Sequence, residues 1–585
     1  MHERDRNTAT PSEAMPDIKT PSHSPSGTSE SPVDADAHHT QAKEMGSPDK
    51  VAVETKNDQE DKYPPLPKVL LIMSSLYLAN FLVALDLTII GTATPQISDD
   101  FHALGDIGWY GSAYLLTLCC FQLLLGRIYT FYSPKFVFLG AVIFFEVGSA
   151  LCGAAPNSTA FIFGRAIAGI GSAGISSGAI VIMMHTTPIE KRPLYMSLVG
   201  VVFGVASVAG PLLGGVFTSK LTWRWCFYIN LPIGGLTMGI VLLVLNLPSP
   251  PNAPKTIKEQ LGRLDPLGAL FLLPGIICLL LALQWGGSTY AWGNARIIVL
   301  LIVFGLCMLA FIAVQRHKGE AATVPPRIFF QRSILSGAWF TLCSGSALMI
   351  MLYYLPIWFQ AIKGASAVKS GVMTIPIILA LVVSNLLCGI TVTKIGYYTP
   401  FMIASTVFMS VGAGLLSAFT TTTDHSKWIA YQFLFGFGIG CGMQQPGVAA
   451  QAVLQRKDVP TGVSLLFFFR NLGGALFLSI AENVFENELI GGLKHIPGLD
   501  GATILRAGAT GLRKVIDPRY VQEVLVVYNG ALVKVYYCVV AVSAASIVGA
   551  LTMEWRSVKK VREQQKMEME KMKAKNEAKR WKDAC

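Results

Sequence analysis

Fourteen stretches of roughly twenty apolar residues constrain this chain more than any other feature. They cover 69–92, 107–126, 136–155, 160–184, 195–217, 225–247, 267–285, 297–315, 335–360, 370–393, 399–420, 428–450, 461–483 and 533–553. A run of that length crosses the hydrocarbon core of a bilayer as a helix, because a spanning segment must satisfy its backbone hydrogen bonds internally. The predicted fold class is an all-α polytopic membrane protein with 14 transmembrane helices. Composition agrees: 52% of residues are hydrophobic and only 14% charged, against about 25% charged in soluble domains. Most of the 11 cysteines, among them Cys119, Cys120, Cys278, Cys307 and Cys388, fall in apolar runs and read as small hydrophobes rather than a disulfide framework. The net charge of +11 implies no nucleic-acid partner, since much of it sits in the last thirty residues and the short loops.

Those loops set the orientation. One alternate set holds Arg127 and Lys135, Lys191 and Arg192, Lys255, Lys258 and Arg263, Arg316, Lys318, Arg327 and Arg332, Lys394, and Arg456 and Lys457. The other has only Lys220, Arg224, Arg296, Lys363, Lys369 and Lys427. The richer set is expected in the cytosol, with both tails. Residues 1–66 are rich in Ser, Pro, Thr, Asp, Glu and His and are expected to be disordered; they show no cleavable signal pattern. The basic tail 556–585 reads equally as a helix near anionic lipid or as a solvated charged segment. Asn157-Ser158-Thr159 is a glycosylation sequon on the outer side, in a loop short enough that it is expected to stay mostly unmodified.

Within the fifth run, Gly200, Gly204, Gly210, Gly214 and Gly215 recur at short helical steps, with Pro211 after Gly210. Such a strip lets another helix pack closely in lipid. Trp223, Arg224 and Trp225 follow, at a position suited to the membrane–water interface.

Ionisable groups inside spans are costly and point to function. Asp86 is central in the first run and is read as a cavity carboxylate that binds a proton or pairs with a cation; a packing role is the alternative. Arg165, in the outer half of the fourth, cannot lose its proton and either tunes a carboxylate or makes a structural ion pair. Glu146, Arg470 and Glu482 are weaker candidates. Gln122, Gln284, Gln432, Gln444, Gln445 and Gln451 could line a pathway, although hydrogen bonding between helices is the plainer reading of each. There is no phosphate-binding loop, metal-ligand cluster or nucleophile–base pattern. That argues against an ATP-driven pump and an enzyme, and no cofactor or metal is read.

In order along the chain, LDLTIIGTATPQI (85–97), WYGSAYLLT (109–117), GRAIAGIGSAG (164–174), GPLLGG (210–215), WRWCFYINLPIG (223–234) and GCGMQQPGVAAQ (440–451) resemble the major facilitator superfamily. The resemblance is to its fourteen-span drug:proton antiporter branch and to fungal toxin and multidrug efflux pumps, over about 65–553. It implies a six-helix half at 67–250, two linker helices at 251–330, and a second half at 331–555 with a long outer loop at 484–532. It also implies a midplane substrate cavity, Arg165 linked to proton transfer, and the glycine strip as the contact that seals the outward side. In the loop GRIYTFYSPKF (126–136), Gly126, Arg127 and Lys135 suit the family's cytosolic gate, but Thr130 replaces its acidic residue. The usual gating ion pair is therefore in doubt.

The function implied is export of a hydrophobic organic compound, such as a fungal secondary-metabolite toxin or drug, in exchange for protons. Aromatic and Met residues such as Tyr353, Tyr354, Trp358, Phe467 and Met443 suit an amphiphilic cargo, although lipid-facing or core packing is the plainer reading of each. Alternatives are proton-coupled uptake, as of a siderophore, and a non-transporting sensor. The expected setting is the plasma membrane, with the vacuolar membrane as alternative, and the expected state a monomer.

Overall fold

The computed structural model describes residues 64–247 apart from 104 and 105, 264–494 apart from 288 and 289, residue 496, and 516–571 with gaps near its end. The segment expected to be disordered and most of the basic tail lie outside the described residues. Thirteen helices among the described residues are long and apolar enough to cross a membrane. In the first part of the chain the helices are α1 (Leu66–Phe101), α2 (Ile107–Phe131), α3 (Pro134–Ala154), α4 (Ser158–Thr186), α5 (Arg192–Lys220) and α6 (Asn230–Val244). Next come α7 (Pro266–Trp285) and α8 (Ala295–Lys318). Apart from the short helices Trp225–Tyr228, Pro326–Phe329 and Ala367–Met373, the remainder are α9 (Arg332–Ala361), α10 (Ile375–Ile395), α11 (Thr399–Leu416), α12 (His425–Gly442), α13 (Gln445–Val453), α14 (Val459–Leu493) and α15 (Val521–Thr552).

Two sequence expectations need correction. The run 428–450 is not one helix. It breaks at Met443 and Gln444 into α12 and α13, and Pro446 sits in the first turn of the new helix, where its missing N–H costs nothing. The predicted outer loop 484–532 is much shorter, since α14 continues to Leu493 and α15 already begins at Val521. A helix of 35 residues is about 52 Å long, far more than the roughly 30 Å of hydrocarbon. Its polar end, ENVFENELIGGL, therefore projects beyond the apolar layer, where hydropathy alone does not register it.

Helices α1–α6 pack mainly on one another, as do α9–α15. Two seams join these groups: α5 lies along α10, and α2 lies along α14. The pair α7–α8 packs against the α2–α14 side, mainly through α7. Because lipid is as apolar as the side chains, helix association here depends on close fit rather than on escape from water. One close fit is α3 on α4. A side chain at Gly171 would strike the α3 backbone at Ala141 and Phe145, and one at Gly148 would strike the α4 backbone at Ala168.

The ends of the bundle differ. At the end that carries the richer set of basic loops, here the basic end, the halves meet centrally. Ser464 of α14 donates to Ser177 of α4 at 3.0 Å, and Gln451 of α13 reaches Met196 of α5 at 2.9 Å. Toward the far end, α1 and α9 form no extended contact.

Gly171→Leu is expected to abolish recovery of monodisperse protein in detergent. Gly239→Leu, at a position with no atom within 4 Å of the added Cβ, is expected to leave the yield unchanged. Size-exclusion profiles of the two variants check this.

Candidate transport site

Asp86 and Arg165 come together. The Arg165 Nη1 donates to Asp86 Oδ2 at 2.5 Å, and the side chains are 0% and 1% exposed. Arg165 Nε also donates to the carbonyl of Tyr110 at 2.8 Å, and its guanidinium sits 4.5 Å from the Tyr114 ring centroid. The Tyr114 hydroxyl lies 2.6 Å from Ser172. Helices α1, α2 and α4 thus converge on one charge pair. Asp86 does not line an open cavity, as its central position in the sequence suggests; it is enclosed within one half. The physical reason is that a carboxylate and a guanidinium taken out of water are tolerated when each neutralises the other. Satisfaction is incomplete, because Asp86 Oδ1 and Arg165 Nη2 have no hydrogen-bond partner among the described residues.

The glycine strip serves two contacts rather than one. At about 100° per residue, Gly200, Gly204, Pro211 and Gly215 share one face of α5, while Gly210 and Gly214 lie on the neighbouring face. The first face meets the other half. The Cβ positions of Gly200 and Gly204 are occupied by Asn385 and Val382 of α10, Gly215 faces Val368, and Pro211 faces Gly371. The second face stays within its own half, where Gly210 and Gly214 abut Thr88 and Thr92 of α1. Thr88 Oγ1 donates across to the Ala206 carbonyl at 3.2 Å. The strip thus anchors α5 to α1, two residues from Asp86, and lets α10 approach along the rest of its length.

The contacts at the basic end are not a simple charge pair between the halves. Gly126 admits Ser464 and the Pro460 carbonyl of α14, and Thr130 lies 3.4 Å from Thr461, hydroxyl to hydroxyl. The acidic partners come from elsewhere. Arg127 donates to the Glu320 carbonyl at 3.0 Å, while Arg327 pairs with Glu320 at 2.9 Å and with Asp458, just before α14, at 3.1 Å. Lys135 stays in its own half, donating to Leu242 O at 2.7 Å. Asp265, in a left-handed conformation, caps α7 by accepting from Gly268 N and pairs with Lys318 at 2.8 Å. Burial alone would raise its carboxyl, but the bonds from Lys318, Gln315, Gly268 and Thr323 outweigh this and hold it at about 2. Its contribution to stability is therefore complete above the ordinary carboxylate range and is lost only as pH falls toward 2. Sequence reasoning missed Asp265, Glu320 and Asp458. The signal for two of them is their place: Asp265 and Asp458 each stand just before a helix with Pro in its first turn.

The remaining candidates are distributed. Gln122 is buried and donates to Ser177 at 2.6 Å, beside the Ser464 contact between the halves. Gln284 accepts from Ser112 at 2.8 Å, and Gln432 donates to Met373 O at 3.2 Å. Gln444 sits at the break before α13, and Gln445 donates back to Cys441 O at 3.2 Å. Glu146 is buried facing Gly234 of α6, with both carboxylate oxygens unpartnered among the described residues. Glu482 lies on α14, about 18 Å outward from Arg470 along the axis. Asn157 is exposed and caps α4, its side chain accepting from Ala160 N at 2.9 Å. Trp223 is buried in an aromatic cluster with Phe101, Phe161 and Phe227 rather than lying at the lipid interface; it and Arg224 hold Asp100 at 3.0 and 3.1 Å. Among the described residues no cluster of His, Cys, Asp and Glu could hold a metal ion.

The family model of the Major Facilitator Superfamily matches residues 76–478. The chain belongs to this superfamily. It is a multi-pass membrane transporter, not an enzyme, and the family's solutes are small organic molecules. An MFS-type efflux pump of Arthroderma benhamiae, MFS1, is 56% identical over 84% of this chain and 92% of its own. A rubrofusarin-specific efflux pump of Gibberella zeae, aurT, is 50% identical over 86% of this chain and 92% of its own. A crystal structure of a double-tryptophan mutant of XylE shares the fold, with a TM-score of 0.53 at 14% identity, covering 84% of this chain and 98% of that one.

The buried pair predicts strong coupling. Asp86→Asn and Arg165→Met should each destabilise the protein by about 3–5 kcal/mol, because each leaves one buried charge alone. The double variant should lose much less than the sum. Denaturation in detergent measures this; additive losses would contradict the pairing.

Proposed function

We propose that this transporter exports a hydrophobic organic compound, a fungal secondary metabolite or drug, in exchange for protons. Its efflux-pump relatives support the direction, and the Asp86–Arg165 pair carries the mechanism. In this reading the basic end is cytosolic, the far end opens outward, and the membrane is the plasma membrane. The broken segment α12–α13 completes fourteen crossings, as two six-helix halves with α7 and α8 as linker, in a transporter complete as a monomer.

A proton arriving from outside binds Asp86 at Oδ1, the oxygen without a donor. Protonation removes the attraction for Arg165 and loosens the junction of α1 with α4. The halves then rock, parting at the small-residue contacts Gly126–Ser464 and Ser177–Ser464 and opening the basic end. Cargo enters from the cytosol. Arg165, permanently charged, draws Asp86 back into its ionised state, because a nearby cation favours the carboxylate, and the proton leaves to the cytosol.

The test is substrate movement in everted vesicles under an imposed proton gradient, across a panel of hydrophobic toxins. Accumulation that an uncoupler collapses is expected for the wild type and is expected to vanish in Asp86→Asn. Gradient-driven accumulation by Asp86→Asn equal to the wild type would overturn the role given to Asp86.

A further inference from the structure

We infer that Arg470 is the receptor for a negatively charged group on the cargo, so that the transported compound is an amphiphilic organic anion. This rests on the transport reading above and narrows its substrate class.

Arg470 lies in α14, one third of the way from its basic end. Helix α14 packs on α2, α9 and α15, whereas α5 packs on α1 and α10, so the two helices belong to opposite seams. Even so, the Arg470 guanidinium lies 5.8 Å from the ring centroid of Phe203 on α5. The side chain therefore reaches across the space between the seams. Phe203 is as far into α5 from its basic end as Arg470 is into α14, which puts both at the same depth, near the middle of the membrane.

The stem of Arg470 is fixed. Gly345 of α9 lies so close that an added Cβ would come within 2.7 Å of the Arg470 carbonyl and 2.8 Å of its Cγ. The head group is not. The residue as a whole is half-buried, and among the described residues its guanidinium has no carboxylate partner and no hydrogen-bond acceptor. Arg165 shows how this protein treats an arginine without an exchangeable partner: a carboxylate at 2.5 Å, a carbonyl at 2.8 Å and an aromatic face. Arg470 has the aromatic face alone. A guanidinium keeps its charge and offers five donors in a planar fork, and an unpaired cation at this depth is costly. An anion that enters and leaves answers that cost without locking the halves together.

The space beside the cation tells what the anion is attached to. Phe203 also borders a crevice of about 10 Å³, the room of a single water, whose walls include Ser207, Leu348, Leu352, Ile378 and Leu381. Its walls are apolar save for Ser207, whose hydroxyl is already donated to the Phe203 carbonyl at 2.9 Å. The crevice must widen for cargo to enter; an apolar or aromatic body bearing a carboxylate, sulfonate or ionised phenol then matches Phe203 and the leucines with its body and the guanidinium fork with its anion.

The experiment is binding to the full-length protein in detergent of anilinonaphthalene sulfonate, a fluorescent aromatic anion, against phenylnaphthylamine, the uncharged compound of similar shape. The protein-specific signal is the part displaced by excess unlabelled aromatic carboxylate. Arg470→Gln is expected to weaken the sulfonate by about tenfold or more, the value of a charge-assisted hydrogen bond, while leaving phenylnaphthylamine unchanged; Arg470→Lys should restore part of the loss. Equal sulfonate affinity in Arg470→Gln, or equal loss of both probes, would overturn the assignment. If Arg470→Gln does not fold, the wild type decides: naphthoate should displace the sulfonate at about tenfold lower concentration than its methyl ester, and equal displacement by both contradicts the proposal. Binding is scored without a gradient, so a failure of proton-driven export leaves this result standing, and the reverse also holds.

Discussion

A guanidinium and a carboxylate with no access to solvent set the terms for the first half of this transporter. Neither Asp86 nor Arg165 is tolerable alone at that depth, and together they still leave one oxygen and one nitrogen unpartnered. The surrounding structure follows from keeping them together. Thr88, two residues from Asp86, uses the gap left by Gly210 to reach the α5 backbone. Tyr110 and Tyr114 supply a carbonyl and a ring to Arg165. Motifs far apart in the chain are thereby parts of one enclosure, and a change in the charge of Asp86 is felt by α1, α2, α4 and α5 together.

Movement requires contacts of a different kind. Within each half, backbones touch backbones, as at Gly148 and Gly171 between α3 and α4 or at Gly412 and Gly438 between α11 and α12. Between the halves at the basic end, several contacts run through hydroxyls and a thioether, Ser177 with Ser464, Thr130 with Thr461 and Gln451 with Met196, beside Arg456 on the Met184 carbonyl and Gly126 against the Pro460 carbonyl. The first class is costly to break and the second is readily exchanged for water. Thr130 stands where a charge is usual, and the acids that remain, Glu320 and Asp458, act through Arg327 and the segment between α8 and α9. That segment is tied to Asp265, just before α7, through Thr323, and Lys318 at the end of α8 pairs with the same carboxylate, so α7 and α8 are joined to the contacts at the basic end.

Much of this was legible in the sequence, and the failures are instructive. Apolar runs located the spans because lipid demands them. They missed the polar ends of α14 and α15, which project beyond the lipid, and the break at Met443 and Gln444, where the residues on either side stay largely apolar although the helix does not continue. Asp86 and Arg165 each stood out as charges in apolar surroundings, but their pairing spans 79 residues, and no local pattern says that the first and fourth helices face each other there. The two faces of the glycine strip were contained in its spacing; reading it as one strip hid the division. Arg470 was visible as a charge, whereas its reach to Phe203 depends on which helices border the central space. Asp265, Glu320 and Asp458 lie outside the spans, where a carboxylate attracts no notice.

The central claim is that Asp86 alternates between a paired carboxylate and a protonated acid. Difference infrared spectroscopy of the reconstituted protein across a pH step tests it most directly. The account predicts a protonated-carboxyl band that appears on acidification and is absent from Asp86→Asn. A wild-type spectrum with no such band, or a band that survives unchanged in Asp86→Asn, would contradict it.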